Sequence, residues 1–64
     1  MSYSIQYYDN VLKETRTVWF AEKTNLVDVS SICECMSSSV FMYTEITLLE
    51  IDHNNQQKIV HKYN

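Results

Sequence analysis

Hydrophobic and polar residues alternate with a period of two from Ser2 to Tyr8, with Tyr3, Ile5 and Tyr7 on one side and Ser4, Gln6 and Tyr8 on the other. That period, carried by aromatic and β-branched side chains, predicts a strand. The run Asp9-Asn10-Val11-Leu12-Lys13 follows and holds the only turn formers nearby. From Glu14 to Phe20 the alternation resumes, with Arg16, Val18 and Phe20 opposed to Thr15, Thr17 and Trp19. Together the two segments predict an antiparallel hairpin.

The period then changes. Thr24 or Asn25 can cap a helix, and Asp28 falls in the first turn, where the helix dipole favours a negative charge. At about 100° per residue, Leu26, Val29, Ile32, Cys33 and Met36 share one stripe, and Asp28, Ser31, Glu34 and Cys35 lie on the other side. Ser37-Ser38-Ser39 ends the helix, because consecutive serines compete for backbone hydrogen bonds and favour a cap or turn.

Val40 to Ile51 is again rich in β-branched and aromatic residues. As a strand it places Thr44, Ile46 and Leu48 on one face and Glu45, Thr47 and Leu49 on the other, and a bulge near Leu48-Leu49 would account for the adjacent leucines. Asp52-His53-Asn54-Asn55-Gln56 reads as a polar turn, asparagine tolerating the left-handed conformation that glycine would otherwise supply. Gln57 to Tyr63 closes the pattern as a short strand. The expected architecture is a single α+β domain over residues 1–64, β-β-α-β-β, with an antiparallel sheet and one helix packed on one face.

Length and composition narrow the function. A chain of 64 residues buries only roughly 60% of its unfolded surface on folding, which disfavours a deep enzyme pocket. With 45% hydrophobic and 20% charged residues it is globular in composition. The formal charge of −3 and the lack of any lysine or arginine cluster remove the field that draws proteins onto phosphates, so direct nucleic-acid binding is not expected. The N-terminal MSYSIQYYDN lacks a basic start and an apolar run, and no segment approaches the roughly 20 apolar residues of a bilayer span. These features point to a soluble cytoplasmic protein with no membrane association.

The cysteines are the first chemical candidates. On a helix, residues two apart point about 200° away from each other, so Cys33 and Cys35 cannot chelate one metal together. Cys33 reads as core filling. Cys35 reads as an exposed thiol, a weak candidate for oxidation or an intermolecular disulfide, with nothing basic beside it in sequence to lower its pKa. Cys33, Cys35, His53 and His61 are the full set of cysteine and histidine ligands for a zinc ion, and their spacing fits no familiar zinc knuckle. His53 in a turn and His61 on a terminal strand are expected to face solvent. Glu45 and Glu50 fall on opposite faces of a strand, so they form no acid/base pair. With no glycine in the chain there is no phosphate-cradling loop. An enzyme, a bound metal and a cofactor are all unexpected.

What remains is surface. One helix covers one face of a four-stranded sheet, so the reverse face meets water or a partner. That face is expected to carry Tyr8, Thr17, Trp19, Glu45, Thr47 and Leu49, of which Tyr8, Trp19, Glu45 and Leu49 are the candidate partner-binding residues. Tyrosine and tryptophan are enriched at binding hot spots. The competing expectation for Trp19 is that it packs beneath the Asn10–Leu12 loop or a strand end. An edge strand offers a second binding mode, by adding another chain's strand.

The strand "TVWFAE", the helix "NLVDVSSICECM" and the hairpin "YTEITLLEIDHNNQQKIVHKY" give a tiny, acidic, glycine-free domain. In layout it resembles small phage-encoded anti-CRISPR proteins, in particular inhibitors of type I CRISPR surveillance complexes. The resemblance lies in the order of elements and carries no individual binding residue over. It implies a non-enzymatic inhibitor acting in the host cytoplasm, with a Cas effector complex as protein partner. Such an inhibitor would occlude the effector stoichiometrically, at guide-proximal surfaces or where target DNA enters. A charge of −3 departs from strongly acidic DNA mimics and favours binding to a protein surface. The alternative reading is a small structural or regulatory homodimer whose sheets meet face to face or edge to edge.

Overall fold

The computed structural model describes residues 1–63. Its elements are β1 (Ser2–Asp9), β2 (Glu14–Trp19), α1 (Leu26–Ser37), β3 (Tyr43–Ile51) and β4 (Gln57–Lys62). The four strands form one antiparallel sheet in the order β2-β1-β3-β4. This is the α+β, β-β-α-β-β architecture that the two periodicities imply.

Local chemistry explains each boundary. In the first turn the Asp9 carboxylate accepts from the backbone N–H groups of Val11 and Leu12 at 2.9 and 3.0 Å, and Lys13 takes the left-handed conformation at φ 60°. In the last turn the Asp52 carboxylate accepts from Asn54 and Gln56, and Asn55 supplies the left-handed residue at φ 61°. Asn25 is the helix N-cap, its side chain accepting from the Asp28 N–H at 2.9 Å. At the other end, the hydroxyls of Ser37 and Ser38 donate to the carbonyls of Glu34 and Cys35. The serine run therefore closes the helix as expected, with Ser37 its last residue.

The core is small: Ile5, Val29, Cys33, Ile46 and Leu48 are buried, and Tyr3, Tyr7, Phe20, Met36, Tyr43 and Tyr63 pack against them. Tyr7 and Tyr43 meet edge to face with centroids 5.2 Å apart. The helix reaches only the two inner strands, β1 and β3. For that reason the predicted stripe is only partly buried. Val29 and Cys33 point into the sheet, whereas Leu26 and Ile32 are about two-fifths exposed, at 39% and 40%.

The third strand corrects the sequence reading in three ways. It begins at Tyr43 rather than Val40, because the N–H groups of Met42 and Tyr43 both donate to the Ser39 carbonyl and fold Val40–Met42 into an exposed turn. Thr44 does not share a face with Ile46 and Leu48. Gln6 pairs with Thr47 but Tyr8 pairs with Thr44, so one extra residue of β3 stands opposite Tyr7. Glu45 absorbs this bulge in the left-handed region, at φ 54°. The register does shift at Leu48/Leu49, but the extra residue there is Val60 of β4, since Leu48 pairs with His61 and Leu49 with Ile59. The adjacent leucines simply alternate, Leu48 into the core and Leu49 to the opposite face.

Candidate functional site on the open sheet face

Register determines which side chains share the face away from the helix. Ile5, a core residue, pairs with Val18 and Leu48, so the neighbouring pairs project to the other side. Four cross-strand rows result: Thr15–Tyr8–Thr44, Thr17–Gln6–Thr47–Lys62, Trp19–Ser4–Leu49–Ile59 and Ser2–Ile51–Gln57. No helix lies over them.

The third row is apolar from edge to edge apart from Ser4. Trp19 stands on the β2 edge, 61% exposed, and does not pack beneath the Asn10–Leu12 loop. Ile59 stands on the β4 edge and is exposed as well, while Leu49 between them is only 9% exposed. Leu49 is thus a floor between its neighbours rather than a projecting contact. Ser4, set between Trp19 and Leu49, is fully buried and its hydroxyl has no hydrogen-bond partner among the described residues.

Between the first two rows lies a shallow depression of about 230 Å³, lined by Gln6, Tyr7, Tyr8, Thr15, Glu45 and Thr47. The bulge brings Glu45 to its rim. A left-handed glutamate costs roughly 1 kcal/mol or more relative to ordinary strand geometry, and bulges commonly re-aim side chains at functional surfaces. Tyr8 and Glu45 therefore flank one end of the face while Trp19 and Leu49 lie along the other. The four sequence candidates share a face without forming one cluster. Sequence reasoning missed Ser4, Gln6, Thr15 and Ile59. Parity with Tyr8 already marked Ser4 and Gln6, and parity with Thr17 marked Thr15, but Ile59 needed the register of β4.

The thiols separate as their spacing requires. Cys33 is buried and Cys35 exposed, both free. Burial pushes the Cys33 thiol up from 9.0 to about 11, which keeps it protonated and unreactive near neutrality. Among the described residues no three histidine, cysteine or carboxylate side chains come together as metal ligands. His61 is exposed with its ring against Tyr63, centroids 4.6 Å apart, and His53 is exposed in the last turn. Among the described residues no helix is long and apolar enough to cross a membrane.

In comparison with known proteins, the chain matches no family model, no curated protein and no solved structure.

Proposed function

We propose that this protein is a non-enzymatic inhibitor that binds a host defence complex of the CRISPR effector class through its open sheet face. The observation that carries this reading is the apolar row Trp19–Leu49–Ile59, which crosses the whole sheet on a side with no helix over it. A tryptophan and an isoleucine projecting into water at its two ends are anchors of the kind that bury into partner pockets. Around them the face is polar, with Thr17, Gln6, Thr47 and Tyr8 as hydrogen-bonding groups and one charge of each sign, Lys62 and Glu45. That composition suits a protein surface better than a phosphate backbone. The inhibitor reading in particular rests on the layout resemblance together with small size and a surface suited to recognition.

Co-purification of the chain with tagged Cas effector complexes tests it. Trp19→Ala is expected to weaken association by about 2 kcal/mol or more, and Ile59→Lys, at the far end of the row, to weaken it as well. Failure to associate with any effector type, together with undiminished interference in cells expressing the chain, would end the inhibitor reading.

A further inference from the structure

We infer that two copies of this chain join along their β2 edges into a continuous eight-stranded sheet, with Trp19 of each copy seated beside the depression of the other. The inference needs no defence complex and goes beyond the proposed function.

The two edges of the sheet are not alike. The β4 edge is interrupted by the bulge at Val60 and carries Lys58 and Lys62, devices that discourage strand addition. The β2 edge has no bulge and no lysine. It is regular over Glu14–Trp19, touches no element other than β1, and reads Thr15, Thr17, Val18, Trp19 around a single arginine. That arginine forms an exposed ion pair with Glu14 of its own strand, with Nη1 to Oε1 at 2.7 Å.

Hydrogen bonding then fixes the register. The Phe20 N–H donates to the Tyr3 carbonyl at 3.1 Å, so by the alternation of an antiparallel ladder Val18, Arg16 and Glu14 turn their backbone groups to β1. Thr15, Thr17 and Trp19 turn theirs outward. A two-fold pairing must match outward groups with outward groups and keep side chains on matching faces. Centring on Arg16 sets two guanidinium groups opposite each other, which is unfavourable. Centring on Thr15 or Trp19 overlaps only one end of the strand, and centring on Val18 leaves its first half unpaired. Centring on Thr17 uses all of β2: Thr17 meets itself, Thr15 meets Trp19, and Arg16 meets Val18, with about six inter-chain hydrogen bonds.

This register also brings a projection to a recess. Thr15 lines the depression on the open face, together with Tyr8, Gln6 and Glu45. Directly across from Thr15 comes Trp19 of the second copy, the largest side chain of the edge and 61% exposed. The contact occurs twice by symmetry, and Val18, exposed on the other face, is covered against the stem of the opposing Arg16.

Sedimentation velocity over a range of protein concentrations tests the inference, with Thr17→Lys and Ile59→Lys compared and circular dichroism confirming the fold of each. The wild-type chain is expected to form a reversible dimer. Thr17→Lys places two ammonium groups on the symmetry axis and is expected to raise the dissociation constant at least about tenfold, while Ile59→Lys on the opposite edge leaves it unchanged. Because Thr17→Lys also disturbs an edge strand, a second variant decides independently. In a Cys35→Ser background, Thr17→Cys is expected to give a disulfide-linked dimer on mild oxidation, the Cα atoms of such a pair standing about 5.5 Å apart, and Ile59→Cys is not. A chain that stays monomeric at all concentrations, a dimer that survives Thr17→Lys, or crosslinking through Ile59→Cys but not Thr17→Cys would overturn the inference.

Discussion

Ser4 stands directly across the β1–β2 ladder from Trp19, and although Trp19 projects into water, Ser4 beside it is sealed from water with its hydroxyl unpaired. A buried hydroxyl without a partner costs about 1–3 kcal/mol. Ser4→Ala is therefore expected to raise stability by about 1 kcal/mol, read from the midpoint of urea unfolding at unchanged slope.

The same pair predicts a coupling. If Trp19 is part of what seals Ser4, Trp19→Ala lets water reach the hydroxyl, and the gain from Ser4→Ala shrinks in that background. A double-mutant cycle of unfolding free energies should show a coupling of about 0.5 kcal/mol or more; additive effects would mean that Leu49 and the strand backbones alone seal the site.

The thiols predict a reactivity split and a pH dependence. A thiol reagent at neutral pH should modify one cysteine, Cys35, in the folded chain and two in urea. Cys33 holds its proton to about pH 11 when folded but releases it near 9.0 when unfolded. Its contribution is full below pH 9.0 and is lost as pH rises toward 11, because the unfolded chain is deprotonated first. The loss should amount to about 3 kcal/mol. It should be absent from Cys33→Ala, whose alkaline unfolding curve set against that of the wild type isolates this group.

Position on the core side of the sheet, rather than hydrophobicity, should rank the apolar variants. Ile46→Ala removes a fully buried side chain and should cost about 2–5 kcal/mol. Ile32→Ala, on the half-exposed flank of the helix, should cost under about 1 kcal/mol. Thermal unfolding of the two variants side by side checks the contrast.

Glu45 is held in the left-handed region by the bulge opposite Tyr7. Glu45→Asn keeps the bulge while suiting that conformation better, and is expected to stabilise the fold by up to about 1 kcal/mol. A loss of stability instead would show that the carboxylate or the stem of Glu45 contributes contacts that outweigh the strain.

Much of this fold is legible in the residue pattern because the period changes twice, from two to 3.6 and back, at Asn25 and the serine run. Asn25 and Asp28 mark the helix start through a hydrogen bond visible in residue types alone. The open face is legible too, since Tyr8, Thr17, Trp19, Thr47 and Leu49 keep strict alternation within their own strands. What the pattern does not carry is set by tertiary pairing. The bulge at Glu45 occurs at a residue type with no left-handed preference, so nothing local announces it, and Thr44 changes faces as a result. Leu26 and Ile32 match a core stripe, yet the sheet beneath the helix is only two strands wide at the contact. The row linking Trp19 to Ile59 spans 40 residues of sequence and emerges only when the β3–β4 register, with its extra Val60, is known.

Because the helix rests on β1 and β3 alone, the outer strands are held chiefly by one ladder of hydrogen bonds each. Peeling either away exposes little apolar surface, so in the dilute monomer, with the β2 edge unpaired, amide exchange should grade across the sheet, fastest in β2 and β4 and slowest at Ile5, Ile46 and Leu48. The domain would then behave as a firm two-strand spine with two adjustable flaps, able to tilt its rims to a contour without loosening its centre.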